Sequence, residues 1–324
     1  FPYTTLFRST WINGTTGITG VLSSSNSLVG GAAGDRVASA GRVTVLSNGN
    51  YYISSPFWGA GASGLAATSI GAITWGSGTA GVVGEVSSSN SLVGSSAGDN
   101  VGSGTTTKLN NGNAVITSPL WGSGNGTTAN AKGAVTWMNG ATGLTGALSD
   151  LNSLVGGASG DRVGASAITT LTNDSYIVRS QYWGGGPSAT VATSKGAITW
   201  GSGATGVSGV LSSSNSLVGA SAGDDVGSGT ILALSNGNAV VLSPAWGSGN
   251  GVTTSAKGAA TWVNGLIGVS GILDSTDINS FVGTTTNDQI GSGATGAGVT
   301  AMLDGRALLS SPKWNGAGAT VTGR

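Results

Sequence analysis

Short apolar runs of alternating pattern recur along the whole chain, set apart by clusters of Gly, Asn and Ser. Between Gly98 and Trp137 the runs are Thr106–Leu109, Ala114–Trp121 and Gly133–Trp137. Alternation with period two puts successive side chains on opposite faces, so each run predicts a strand. Asn111-Gly112 parts the first two runs. Gly takes positive φ at no steric cost and Asn tolerates it, which predicts a hairpin there. Gly143–Gly156 leaves room for a fourth short strand. One unit is thus about four strands and no helix.

The unit repeats. Trp11, Trp75, Trp137, Trp200 and Trp262 each follow a Thr, at spacings of 64, 62, 63 and 62. Trp58, Trp121, Trp183, Trp246 and Trp314 form a second ladder, at spacings of 63, 62, 63 and 68. Asp35, Asp99, Asp161 and Asp224, each after a Gly, and Asp288, after Asn287, form a third. All ten tryptophans belong to the first two ladders, so the chain reads as five copies of a unit of about 63 residues. Full units span 35–98, 99–160, 161–223 and 224–287, with half units at 10–34 and 288–324. The third copy is irregular, with Asn173-Asp174 at its turn and Gln181 where the others have proline. The last has two residues added before Asn279 and turns at Asp304-Gly305.

Both faces of these strands are apolar, one with large and one with small side chains. In Gly133–Trp137, Val135 and Trp137 share one face, and Ala134 and Thr136 the other. Such a sheet is covered on both sides, bulky residues of one unit entering the small-residue face of the next. Pro56, Pro119, Pro244 and Pro312 cannot donate to a ladder and predict a strand exit or an edge. Solenoid coils run to about 20–45 residues and four-stranded blades to about 40–50, so this period favours a blade with one long loop. The expected fold is all-β, a propeller of about five four-stranded blades closed by the N- and C-terminal half-blades; the alternative is an open array or solenoid.

Composition narrows the chemistry. Charged residues are 7% of the 324, and 12 Lys+Arg balance 12 Asp+Glu, so a nucleic-acid partner has no electrostatic footprint. Without cysteine or histidine there is no disulfide, no thiol nucleophile, no thiolate or imidazole metal site and no Ser-His triad. No run of 18 apolar residues predicts a membrane span. Residues 1–9, FPYTTLFRS, stand outside the pattern and read as the translation of a sequencing-library adapter, as in a fragment of metagenomic origin. With the true start missing, the export route is not legible.

The order G-D-x-V-G, N-G-N hairpin, V-I-x-S-P, polar loop and G-A-V-T-W resembles the FG-GAP repeat of integrin-α-type propellers. Val101 stands where that family has Phe, and Ser118-Pro119 where it has Ala-Pro. The chain is also similar to tandem repeats of secreted, filamentous-haemagglutinin-like bacterial proteins. That similarity implies an extracellular or cell-surface location, with neighbouring repeats in a longer parent chain.

The resemblance to FG-GAP propellers implies calcium in hairpin loops with spaced aspartates, but the turns here hold Asn and Gly, with Asp174 and Asp304 alone in theirs. Calcium takes six to eight oxygens, so no metal site is expected. The Asp ladder is expected to be structural, each carboxylate accepting amides two residues on in an Asx-turn. Asp224-Asp225, the one adjacent acidic pair, reads as a solvated turn. The Trp ladders read as core, with sugar stacking as the alternative. Ser194–Trp200 resembles a sialidase Asp-box but lacks its Asp, and the sequons at Asn13 and Asn125 read as idle. No catalytic residue, cofactor or metal is expected, and the ligand-binding residues are not legible. The chain is expected to be a non-catalytic adhesive or structural segment with a protein or glycan partner. A lectin-like propeller is the alternative and a glycan-acting enzyme a distant third.

Overall fold

The computed structural model describes residues 8–39, 42–292 and 298–314; residues 1–7 of the off-pattern start lie outside them. The chain divides into two units, Phe1–Val155 and Gly156–Arg324. In the first, each alternating run becomes a strand. The strands are β1 (Arg8–Ser9), β2 (Leu28–Val29), β3 (Val43–Val45), β4 (Tyr51–Ser55), β5 (Ala72–Gly76) and β6 (Gly84–Glu85). β7 (Ser91–Val93), β8 (Thr106–Lys108), β9 (Ala114–Ser118), β10 (Ala134–Met138), β11 (Gly146–Ala147) and β12 (Leu154–Val155) follow. Three sheets result, ordered β1-β2-β6, β11-β7-β5-β4-β3 and β12-β10-β9-β8.

The second unit repeats the plan. It holds β13 (Ile168–Thr170), β14 (Tyr176–Ser180), β15 (Ala197–Gly201), β16 (Gly209–Val210), β17 (Leu217–Gly219) and β18 (Ile231–Ala233). β19 (Ala239–Ser243), β20 (Ala259–Val263), β21 (Gly271–Leu273), β22 (Ser280–Val282), β23 (Val299–Ala301) and β24 (Ala307–Leu309) complete it. Its sheets are β13-β14-β15-β17-β21, β18-β19-β20-β22 and the hairpin β23-β24. Among the described residues the only helical pieces are three-residue 3₁₀ turns, such as Gly61–Ser63. The protein is an all-β array of tandem repeats built from small sheets.

The segment expected to hold one strand holds two, and this corrects the four-stranded unit. In the second copy these are β11 and β12, of which β12 pairs antiparallel with β10 of its own copy. β11 instead reaches back and pairs in parallel with β7 of the copy before. β6 does the same on β2, and β21 on β17. The sheets β11-β7-β5-β4-β3 and β13-β14-β15-β17-β21 are therefore antiparallel meanders of four strands, and the fifth strand of each comes from the next copy. Successive copies run the same way, so a strand lent by one to the other pairs in parallel.

The hairpin also differs in detail. Leu46 N–H donates to Asn50 O at 2.8 Å, and Gly49 alone takes positive φ, at 84°. That is a three-residue loop with Gly at the left-handed position, so Asn48 need not leave the helical region. Only the last copy has two positive-φ residues at its turn, Asp304 and Gly305. The prolines sit where expected, with Pro56, Pro119 and Pro244 directly after β4, β9 and β19.

Packing follows the large-on-small pattern. Tyr52, Ile73 and Leu92, with half-buried Trp75, meet Ala114, Ile116, Ala134 and Met138 of the next sheet. Thr136 lies on the small face, and its hydroxyl meets that of Ser153 at 2.7 Å. The same pair recurs as Thr10–Ser27, Thr74–Ser91, Thr199–Ser216 and Thr261–Ser280, at 2.6 to 2.8 Å. A buried hydroxyl must be bonded, so this pair lets a polar residue sit in the seam.

Candidate functional site

The aspartate ladder is a set of internal staples. Asp99 Oδ2 accepts the amides of Ser95 and Ser96 at 2.9 Å, and Oδ1 accepts that of Gly122 at 3.0 Å. Asp35 ties Ala32 to Gly59, Asp161 ties Ala158 to Gly184, and Asp224 ties Ser221 to Gly247. The expected Asx-turn is corrected here. The amides accepted lie three or four residues upstream and 23 or 24 residues downstream, because the carboxylate joins its own loop to the turn after the tryptophan of the second ladder. These aspartates are 0 to 4% exposed. Burial pushes the Asp288 carboxyl up, but bonds from the Thr284 and Thr285 amides and hydroxyls outweigh it and hold the group below its ordinary range.

The residue after each of these aspartates adopts positive φ without being glycine: Arg36, Asn100, Arg162, Asp225 and Gln289, at 44 to 49°. Such a conformation persists only where the surroundings hold it. Asn100 Nδ2 donates to Ala66 O at 2.7 Å and Gly98 O at 2.8 Å. Gln289 Nε2 donates to Thr254 O at 3.2 Å. Arg36 and Arg162 cover the rings of Phe57 and Tyr182 instead.

Asp225 departs from the set. It is 3% exposed, not a solvated turn, and its Oδ1 has no hydrogen-bond partner. Burial pushes its carboxyl up to about 6, against the opposing pull of the Arg179 guanidinium and the Gln181 side chain. Both partners come from the irregular third copy, where Gln181 replaces proline. Arg179 also donates to Gly229 O at 2.7 Å. The oddities that look separate in sequence, Gln181 and the Asp224-Asp225 pair, thus meet in space.

The tryptophans have two jobs. In the second ladder the backbone closes the polar loop, as when Lys132 and Gly133 amides both donate to Trp121 O at 3.0 and 2.9 Å. In the first ladder the indole reaches the following copy. Trp75 Nε1 donates to Gly140 O at 3.0 Å, and Trp200 Nε1 to Gly265 O at 3.1 Å. Trp262 differs, being 42% exposed, and Phe281 beside it is 62% exposed. The two line a groove of about 350 Å³ with Val240, Ala260, Val299 and Leu309.

The other singled-out residues are local. Asp304 pairs with Arg306 at 3.3 Å, both well exposed, while Asp174 takes the left-handed turn position at φ 67°. Asn13 and Asn125 cap their own turns through the Thr15 and Thr127 amides. Ser194 Oγ donates to Thr190 O at 2.6 Å. Among the described residues no three His, Cys, Asp or Glu side chains converge on a point where they would hold a metal ion. No described helix is long and apolar enough to cross a membrane.

The repeat seen in the sheets is matched by a family model. A model described as a repeat of unknown function (DUF5650) matches residues 9–39, 45–103, 108–165, 170–228 and 233–292. No curated protein matches the chain. Five matches in tandem, covering most of the residues, place this chain in the DUF5650 repeat family.

Proposed function

We propose that this chain is a non-catalytic repeat segment of a secreted bacterial surface protein, adhesive or structural in role. The observation that carries the reading is where the functional groups go. The ladder carboxylates, the paired Thr and Ser hydroxyls and the Trp75 and Trp200 indoles are spent on holding one copy together or to the next. The partly exposed loop after the second-ladder tryptophan differs from copy to copy, which suits display of a surface to a protein or glycan. Beads coated with the purified chain should adhere to cells or to arrayed glycans and proteins. Binding no greater than that of blank beads across such panels refutes the adhesive reading.

A lectin-like role is the second reading, favoured by the exposed Trp262 and Phe281, since an aromatic face covers apolar sugar C–H groups. Saccharides that change Trp fluorescence in the wild type and not in Trp262→Ala support it. For the architecture, FG-GAP-like blades are supported by the strand order and the large-on-small packing of neighbouring sheets. A ring of such blades has a radius of gyration of about 20 Å, and an open array exceeds it.

A further inference from the structure

We infer that the groove beside Trp200 binds a neutral saccharide, held by an Asn279 carboxamide that the last copy has released from its usual place in the loop. In the other copies the counterpart of Asn279 is engaged within its own loop. Asn215 Oδ1 accepts the Ser212 backbone amide and the Ser216 hydroxyl, both at 3.0 Å, and its Nδ2 donates to Val210 O at 3.1 Å. The same three bonds recur at Asn26, Asn90 and Asn152. The last copy has two residues added before this position, and Asp277 takes over there. Its Oδ1 accepts the Asn279 backbone amide at 3.0 Å and its Oδ2 the Ser280 hydroxyl at 2.7 Å. The Asn279 side chain is left without a hydrogen-bond partner among the described residues, although the residue is half-buried like its four counterparts.

Asn279 lines a groove of about 360 Å³ with Trp200, Ser214, Ile267, Gly268 and Ser270, all within the second unit. One wall is fixed. Trp200 Nε1 donates to Gly265 O at 3.1 Å, and a Cβ on Gly268 would lie 2.6 Å from Trp200 Cβ, so the indole is clamped on that turn. Ile267 is 78% exposed, where the turns of the other copies carry Thr16, Ala80, Thr142 and Thr205. An apolar side chain left in water beside an indole suits the C–H face of a sugar ring. The polar groups suit its hydroxyls, because a carboxamide both donates and accepts, as do the hydroxyls of Ser214 and Ser270. Among the described residues no ionisable side chain lines the groove, so an acidic or basic sugar would leave its charge unpaired. Small-molecule sites span about 300–1,000 Å³, and this one, at the low end, has room for a short saccharide and not for a folded partner.

The test follows the full-length chain by NMR at the Asn279 Nδ2 and Trp200 Nε1 signals. Glucose, galactose, mannose, N-acetylglucosamine and their β-linked disaccharides are each added to about 10 mM, tenfold above a Kd of about 1 mM. At least one sugar should shift both signals saturably. Asn279→Ala, read at Trp200, should weaken that binding about tenfold or more, and Ile267→Thr about threefold or more. Asn279 also borders the Trp262 groove, so Trp262→Ala separates the two and should leave binding within about twofold. Urea midpoints test the structural side: Asn215→Ala should lower the midpoint, and Asn279→Ala should leave it in place. No saturable shift with any of these sugars overturns the inference, as does glycerol binding as tightly as the best sugar. Binding lost in Trp262→Ala alone, or an Asn279→Ala midpoint as low as that of Asn215→Ala, also overturns it. A chain silent to every sugar here can still adhere through its other surfaces, so this site and the adhesive role fail separately.

Discussion

Asp225→Asn should stabilise the protein above pH 6 and flatten its pH dependence. In the wild type, the buried Asp225 carboxyl is held near 6 against an ordinary value of 3.8. The folded state therefore keeps a proton that the unfolded state releases between about pH 4 and 6. The stabilisation is whole below the unfolded value and is lost as pH rises through the folded one. Once ionised, the carboxylate costs on the order of 3 kcal/mol relative to its protonated form. The amide removes that cost. It can also donate to the loop carbonyls as Asn100 does to Ala66 and Gly98, each bond contributing about 1 kcal/mol. Part of this is offset by losing the attraction of Arg179, which keeps its bond to Gly229 O. The net expectation is about 2–4 kcal/mol in favour of the variant at pH 7.5, shrinking to about 1 at pH 4. Urea unfolding followed by Trp fluorescence from pH 4 to 8 measures both curves. A variant less stable than wild type at pH 7.5, or two parallel curves, would refute the reasoning.

Asp99→Ala removes the acceptor shared by the Ser95, Ser96 and Gly122 amides and should cost about 2–3 kcal/mol, with faster hydrogen exchange at Gly122; an unchanged midpoint sinks the staple. Thr136→Val should cost only about 1 kcal/mol in denaturant melts, because Ser153 keeps its bond to Asn152 Oδ1. Gly71→Ala sets a Cβ against the Val101 backbone at φ 79°, so it should lower stability by about 3 kcal/mol or more or prevent folding, read by circular dichroism; a neutral result contradicts the parallel bridge from Gly71 to Val101.

The local features were legible in the sequence by itself. Period-two runs gave β4, β5, β9 and β10, prolines marked the exits of β4 and β9, and Trp and Asp spacing counted the copies. Each of these rests on backbone conformation over a few residues, and a residue's own chemistry biases that. Tertiary structure alone decided the rest. That β11 leaves its copy for β7, that Asp99 bonds Gly122, and that Trp75 bonds Gly140 are pairings across 23 to 65 residues. A backbone amide carries no label for its distant partner, so no local pattern announces such a bond. Asp225 is the sharpest case. Its type suggests solvent, and its burial comes from the Arg179 copy packed against it. The free energy of a carboxylate depends on what surrounds it, and only the folded chain supplies those surroundings.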